Sequence, residues 1–291
     1  MADLLERPVV IGASGQLGTE LMHVLRDRNV VGLDHAALEI QDAAAVDATL
    51  AHIKPTLVIN TAAFHNVEEC EREPQRTLAI NAIAVDHLAA LCARHGAAFA
   101  TMSSDYVFDG AKKAPYEESD EPRPLNVYGV SKRTAELFVQ RHGTRYFIFR
   151  TSGMYGIRTS TQKGHTFVDR LLRQVDAGET PRIVTDIVSS PSYAPDVANG
   201  MRAVIEREAY GIVHVTNAGS CSWYDFANEA LKLAGKSGVQ VAAASYKDFP
   251  STAPRPSYSV LAHEALAALS IPMPMWQDAL KRYLAQRAAA G

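Results

Sequence analysis

Arg7-Pro8-Val9-Val10-Ile11-Gly12-Ala13-Ser14-Gly15-Gln16-Leu17-Gly18 is the stretch that decides the fold. Its first half is a β-branched run stopped by a glycine, and its second half spells Gly-x-x-Gly-x-x-Gly. Leu17, Leu21, Val24 and Leu25 then recur at the spacing of one buried helical face. A strand, a glycine turn and a helix in that order predict a pyrophosphate cradle. Gly12 permits the tight turn, Gly15 lets backbone approach the anion, and Gly18 allows the helix to pack closely on the strand. The anion, bordered by Ser14, Gly15, Gln16 and Leu17, would sit on unpaired N–H groups at the positive end of the helix dipole.

Working outward, residues 30–34, 55–60, 98–102 and 145–150 read as further strands. Helical patterns lie between them at 43–52 and 81–95. Continuous apolar strands alternating with helices call for a parallel, doubly wound α/β sheet, buried on both faces. Residues 109–126, rich in Pro, Gly and charge, form a long loop of the kind that tends to be functional. The second half is less regular. Helices are expected at 167–175 and 194–206, a strand at 212–215, and a mostly helical tail from 222 to about 250. Asp34 closes the second strand, where a carboxylate either meets a ribose 2′-hydroxyl or simply caps the next loop. The first use would repel a 2′-phosphate and favour NADH over NADPH.

The chain has 291 residues, a formal net charge of −3 and 47% hydrophobic residues. This length suffices for a substantial core, and the mildly acidic balance argues against a nucleic-acid partner. No apolar run long enough for a membrane span is evident, and the N-terminus lacks a basic start. A cytoplasmic protein is therefore expected, with no membrane partner. Cys70, Cys92 and Cys221 are odd in number and widely spaced, so reduced thiols are expected. No His-Glu-x-x-His or Cys/His cluster occurs, and no metal site is predicted.

Ser104 follows the fourth strand, beyond whose end ligands bind in open α/β sheets. Tyr128 and Lys132, three residues apart between them, lie one helical turn apart. A tyrosine hydroxyl ordinarily titrates at about 10. A neighbouring ammonium is expected to lower that value, so that Tyr128 exchanges a proton with a carbonyl oxygen held also by Ser104. Lys132 would reach the cofactor ribose as well. A Tyr and Lys at this spacing alone would be ordinary helix surface; the serine and the dinucleotide turn change that reading.

Together Gly12-x-x-Gly15-x-x-Gly18, Ser104 and Tyr128-x-x-x-Lys132 resemble the extended short-chain dehydrogenase/reductases. Further blocks resemble the dTDP-4-dehydrorhamnose reductase branch, most specifically the stretch from Ser104-Asp105-Tyr106-Val107-Phe108-Asp109-Gly110 to Lys132. The likeness runs over nearly the whole chain. It implies a Rossmann-like doubly wound domain, residues 1–152 plus part of about 190–216, and a smaller C-terminal α/β substrate region, 153–189 and 217–291. It also implies NAD(P)H-dependent reduction of the C4 ketone of a nucleotide-diphosphate 6-deoxy sugar by a monomer or homodimer. Gly15, Gln16, Leu17, Asp34, Glu39, Ile40, Ala62, Ala63 and Phe64 map onto cofactor-contact positions. Ser104, Asp105, Tyr128, Gly153 and Arg255 map to the substrate, with Arg255 forking onto a diphosphate or making a surface salt bridge.

Three departures stand out. Ser104 replaces the family's usual threonine but keeps one hydroxyl. Gly153 stands where the family has a tryptophan near the sugar, which removes an apolar wall. Glu20 matches one ligand of a Mg²⁺ site found in some members, but Pro195 and Gln286 stand at the others and serve a hard cation poorly. His65 and His165 are candidate substrate neighbours with ordinary loop roles as the alternative. The competing function is a non-catalytic, cofactor-binding regulatory subunit resembling the methionine adenosyltransferase β-subunit. An epimerase or dehydratase of the same superfamily ranks below it, because Asp105-Tyr106 lacks the glutamate that dehydration would need.

Overall fold

In a computed structural model of the protein, which describes residues 3–157, 166–236 and 238–290, the glycine turn lies at the centre of a parallel sheet. The strands are β1 (Pro8–Ile11), β2 (Val31–Leu33), β3 (Leu57–Asn60), β4 (Ala98–Ser104), β5 (Tyr146–Thr151) and, much later in sequence, β10 (Gly211–His214). Their spatial order is β10-β5-β4-β3-β1-β2, and every pair is parallel. The order reverses between β1 and β3, which makes the carboxyl ends of those strands the switch point where ligands bind in such sheets.

Alternation along the strands explains why the runs are apolar throughout. Val10, Leu57, Ile59, Ala98, Ala100, Phe147, Phe149 and Val213 point to one face. There they pack on α1 (Gln16–Val24) and α8 (Ala194–Glu206) through Leu17, Leu21, Met201 and Val204. Val9, Ile11, Val58, Phe99 and Ile148 point to the other. They meet α2 (Ala43–Ile53), α5 (Ala84–Arg94) and α6 (Val127–Gln140) through Leu50, Leu88 and Val139. Both faces are covered, as all-parallel sheets require.

Between β3 and α5 the chain forms α3 (Val67–Arg72) and α4 (Pro74–Leu78), then a π-helical segment (Ala79–Ile83) that continues into α5. The helical run Pro74–Arg94 thus starts seven residues before the position the apolar pattern suggested. It is long and apolar enough to cross a membrane by length and composition. Half of its 18-residue window is buried inside the fold, as in a core helix.

The second half adds β6 (Met154–Tyr155), α7 (Phe167–Asp176), β7 (Arg182–Val184), β8 (Val188–Ser189) and β9 (Ser192–Tyr193) before α8. After β10 come β11 (Cys221–Ser222), α9 (Trp223–Leu233), β12 (Ala242–Ala244), α10 (Glu264–Ala268) and α11 (Trp276–Ala290). Tyr155, Tyr193, Phe226, Trp276 and Tyr283 make an aromatic core between α7, α9 and α11. The helical tail expected to about residue 250 ends at Leu233, followed by Gly235 at φ +74°. Ala242–Ala244 instead pairs in parallel with Arg182–Val184. Three alanines carry no strand preference of their own, so a distant partner decides their conformation.

The long loop is ordered from below. Phe108 stacks on Tyr116 with ring centres 4.2 Å apart, and both pack with Val107 and Leu261. Tyr116 exchanges backbone hydrogen bonds with Val260 and Ala262 at 2.8 and 2.7 Å.

Candidate active site

The turn after β1 leaves room for ligand atoms but none for side chains. Gly12 has φ +78°, and a Cβ there would lie 2.6 Å from the Thr61 Oγ1 and 2.9 Å from the Ala62 nitrogen. A Cβ on Gly18 would lie 2.1 Å from the Gly12 carbonyl oxygen. Gly18 does not line the cleft; it makes no room for a ligand and instead seats α1 against the turn. At Gly15 a Cβ would meet only that same carbonyl, at 3.2 Å, with open space otherwise. Gly15 is the N-cap of α1 and supplies no capping side chain, so the first N–H groups of the helix are left for a ligand. An open cradle of backbone donors at a helix start fits a dinucleotide pyrophosphate.

A cleft of about 700 Å³ runs from this turn along the strand ends, lined by Ser14, Gln16 and Leu17 at its base. Ala62, Ala63 and Phe64 after β3 form one side, and Asp34, Glu39 and Ile40 after β2 form the distal end. The loop-capping role of Asp34 is present in the structure. The residue lines the cleft, while its Oδ1 accepts from the Ala37 N–H at 3.0 Å. Phe64 is held by a residue the sequence pattern passed over. Asn81, fully buried on the π-helical segment, accepts from the Phe64 N–H at 2.8 Å and donates to its carbonyl at 2.7 Å. It also donates to the Ser131 hydroxyl at 3.1 Å, tying this wall to α6. An amide inside an otherwise apolar helix was the available signal, since buried polar groups need partners.

The last residue of β4 is Ser104, paired in register with Thr151 of β5. Its hydroxyl donates to the Asp105 carboxylate at 2.9 Å and accepts from the Tyr106 N–H at 3.1 Å. Helix α6 is capped by Asn126, whose side chain accepts from the Gly129 N–H at 2.8 Å. Gly129 brings this helix close: a Cβ there would lie 2.1 Å from the Tyr106 carbonyl oxygen. That approach sets Tyr128 beside Ser104 in the cleft wall. Lys132, 4% exposed, places its Nζ 5.8 Å from the centre of the Tyr128 ring and donates to the Met102 carbonyl at 3.2 Å. Ser104, Tyr128 and Lys132 therefore meet in the cleft that the glycine turn opens.

The acidified phenol expected from the helical spacing is not found in the protein alone. The cleft walls desolvate Tyr128, and the Asp105 charge adds to that, so the phenol is pushed above its ordinary range despite the lowering influence of the neighbouring Ser104 hydroxyl. The ammonium does not offset these effects. It is itself desolvated, and burial pulls Lys132 down to about 8, against partial support from Cys70 and Glu136. At neutral pH the pair is thus a protonated phenol beside a weakly held ammonium.

Asp105 anchors the other wall. It is 4% exposed and takes hydroxyls from Ser104, Ser152 at 2.8 Å and Ser259 at 2.6 Å. Burial raises its carboxyl, and the three serine hydrogen bonds oppose that rise. Gly153 and Arg255 also line the cleft. Arg255 is engaged on two sides, donating to the Tyr106 hydroxyl at 3.2 Å and to Glu68 of α3 at 3.0 Å. Of its two anticipated roles, the salt bridge is the one present, and it stands at the cleft wall. His65 lines the cleft too, whereas His165 lies outside the described residues. Gln286, one of the residues at the family's metal positions, accepts from the Tyr193 hydroxyl. Thr151, Ser152, Phe167, Trp223 and Ser259 are cleft residues that the sequence reading did not select. Thr151, Ser152, Trp223 and Ser259 belong to blocks that resemble the family, but they come from scattered segments and nothing in their order gave them a place in the site.

Comparison with known proteins agrees with this geometry. The family model described as RmlD substrate binding domain matches residues 7–289. The spore coat polysaccharide biosynthesis protein SpsK of Bacillus subtilis is 35% identical over 290 residues, covering 98% of this chain and 99% of that one. A dTDP-4-dehydrorhamnose reductase from Aggregatibacter actinomycetemcomitans is 34% identical over 292 residues, covering 95% and 98%. Among solved structures, the dTDP-4-dehydrorhamnose reductase of Bacillus anthracis in complex with NADP superposes with a TM-score of 0.91 at 34% identity, covering 97% and 99%. The Clostridium acetobutylicum orthologue gives 0.91 at 36% identity, covering 96% and 99%. Nothing among these relatives supports the regulatory-subunit alternative. The chain belongs to the RmlD substrate-binding-domain family, the dTDP-4-dehydrorhamnose reductase branch of the extended short-chain dehydrogenase/reductases.

Proposed function

We propose that this protein is an NAD(P)H-dependent oxidoreductase that reduces the C4 ketone of a nucleotide-linked 4-keto-6-deoxy sugar. The observation that carries this reading is the convergence of Ser104, Tyr128 and Lys132 on the cleft opened by the Gly12–Gly18 turn. Relatives named dTDP-4-dehydrorhamnose reductase and dTDP-4-keto-6-deoxy-D-glucose reductase support the substrate class.

When bound, the nicotinamide supplies the hydride. The chain's own residues do the rest. The backbone N–H groups at the start of α1 hold the pyrophosphate, with Ser14, Gly15, Gln16 and Leu17 around it. Asp34, Glu39, Ile40, Ala62, Ala63 and Phe64 border the remainder of the dinucleotide. Tyr128 keeps its proton at neutral pH, as burial dictates, and gives it to the ketone oxygen as negative charge develops there. Ser104 orients that oxygen, and Asp105 orients Ser104. Lys132 holds positive charge beside the phenolate that proton donation leaves behind.

The working division of the chain assigns residues 1–152 and about 190–216 to the dinucleotide, and 153–189 with 217–291 to the sugar. Its support is that β10 and α8 join the sheet while Phe167, Trp223, Arg255 and Ser259 form the facing wall. The Asp34 carboxylate at the distal end favours NADH over a 2′-phosphorylated cofactor. The Bacillus anthracis relative was solved with NADP, so a side-by-side comparison of both cofactors is the direct test. The decisive experiment is a NADH- and NADPH-oxidation assay across several nucleotide-ketosugars. Turnover of at least one is expected, and no turnover of any would overturn the proposal.

A further inference from the structure

One end of the cleft is unlike the rest. Around Ser104, Asp105, Tyr128 and Ser152 the wall is polar, but beyond Ser152 the lining becomes mostly apolar, with Gly153, Met154, Phe167, Ile187 and Trp223 beside the hydroxyls of Thr166 and Ser189. Gly153 carries no side chain and sits at φ +50°. A Cβ built on it would lie 3.7 Å from the Cη2 of Trp223, so the rim of that indole stands directly over the bare backbone.

The indole is fixed there from outside the cleft. Trp223 is the first residue of α9, which Ser222 and Asp225 start with a reciprocal capping box, hydroxyl to carboxylate at 2.6 Å. The Trp223 backbone N–H donates to the Ile187 carbonyl at 3.4 Å. Its ring leans on Phe167, centres 4.8 Å apart, and meets Phe226 edge-on at 5.9 Å. Phe226 is 1% exposed and belongs to the aromatic core, whereas Trp223 remains partly exposed to the cleft. An indole so braced, opposite a residue with no side chain, is a preformed apolar platform one residue past Ser152, the serine that donates to Asp105.

We infer that Trp223 is the specificity-determining wall of this site and recognises the deoxy carbon of the sugar ring, the methyl-bearing edge next to the C4 ketone. The inference rests on the ketosugar reading of the cleft. A methyl group beside the reacting carbon gains from burial against an indole and the Phe167 ring. A hydroxymethyl group at the same place would bring a hydroxyl against the indole rim with the Ser189 hydroxyl as its nearest polar neighbour, and the hydrogen bonding it lost beyond that one partner would cost. A hydrophobic pocket separates ligands that differ by one such group by roughly 10- to 100-fold.

The test uses dTDP-linked 6-deoxyhexose and dTDP-glucose as probes. The sequence contains two tryptophans, so in a Trp276→Phe protein Trp223 is the sole indole reporter. Its emission should change saturably with the 6-deoxy probe, which should bind about tenfold tighter than dTDP-glucose. By calorimetry, Trp223→Ala should weaken the 6-deoxy probe about tenfold and leave dTDP-glucose and the dinucleotide within about twofold. Trp223→Phe should keep most of the preference. Unchanged discrimination in Trp223→Ala would overturn the inference. So would an equal loss for both sugars and the dinucleotide, which would mark a purely structural role. If neither sugar nucleotide binds the unsubstituted protein, the ketosugar reading itself fails, an outcome visible before any variant is made.

Discussion

Arg150 and Glu136 face each other as a two-pronged pair. The guanidinium Nε donates to Oε1 at 2.7 Å and Nη2 donates to Oε2 at 2.8 Å, with both side chains 1% exposed. The pair joins the end of β5 to the face of α6 that carries Lys132 one turn and Tyr128 two turns earlier. Glu136 also accepts from the Ser103 hydroxyl at 2.6 Å and from Arg133 at 3.1 Å. Burial alone would raise its carboxyl, but the Arg150, Ser103 and Arg133 contacts outweigh that and hold it below the ordinary range.

Breaking this pair from one side should be costly. Glu136→Leu leaves the Arg150 charge buried with no carboxylate partner, against the Glu118 carbonyl and His214 at 3.4 and 3.3 Å and the Phe108 ring at 5.1 Å. A loss of about 3–5 kcal/mol is expected. Arg150→Met should cost less, because Glu136 keeps Ser103 and Arg133. Denaturant unfolding of the two variants checks the order, and equal losses would contradict this account.

Tyr128→Phe removes the proton donor without disturbing the cradle at Gly12–Gly18. The turnover number should fall by about 10²–10⁴-fold, the usual worth of a positioned acid. Dinucleotide affinity should stay within about twofold of the unsubstituted protein by fluorescence titration. Retained turnover would remove Tyr128 from the chemistry.

The pH profile should reflect Lys132. Burial places its folded value near 8, below the ordinary 10.5. The ammonium beside Tyr128 is therefore present below about pH 8 and lost above it, and kcat/KM should decline on that side. Stability has the opposite sign. Folding penalises the charged lysine below pH 8, and the penalty is relieved between about 8 and 10.5, where only the unfolded chain still holds the proton. Activity and this contribution to stability should thus diverge, as parallel assays and thermal melts across pH 7–10 would show.

Glu68 clasps the C-terminal loop to α3. It accepts from the Ser251 hydroxyl at 2.6 Å, the Thr252 N–H at 3.0 Å and Arg255 at 3.0 Å. Burial opposes its charge, but these hydrogen bonds outweigh burial and hold the carboxyl at about 2. The folded value lies below the unfolded one, so the clasp stabilises above about pH 4.5 and is lost as pH falls toward 2. Since the pair is about one-third exposed, solvent screening leaves no more than about 1 kcal/mol. Glu68→Gln should flatten that part of the acid-unfolding curve, and an unchanged acid limb would count against the clasp.

Replacing Asp34 addresses the cofactor. Asp34→Ser keeps a short side chain able to accept from the Ala37 N–H and removes the negative charge from the distal end of the cleft. The NADPH-to-NADH ratio of kcat/KM should rise by about tenfold or more, as loss of a like-charge repulsion implies. A ratio that does not move would place the preference elsewhere.

Much of the fold and part of the site could be read from residue order, because local rules dictate them. The β-branched run before Gly12, the three glycines and the apolar spacing of α1 each follow from what a strand, a tight turn and a half-buried helix require. The Tyr128–Lys132 spacing follows from helical pitch alone. What residue order did not show is set by contacts between distant segments. Asn81 grips Phe64 from a π-helical segment, Gly129 lets α6 touch the loop after β4, and Ala242–Ala244 becomes a strand only because Arg182–Val184 lies beside it. The direction of the Tyr128 shift belongs to the same class. Spacing put an ammonium near a phenol, but desolvation by walls drawn from β4, β5 and the C-terminal loop outweighed it. Desolvation depends on everything that surrounds a group in space, and neighbours along the chain are only a small share of that.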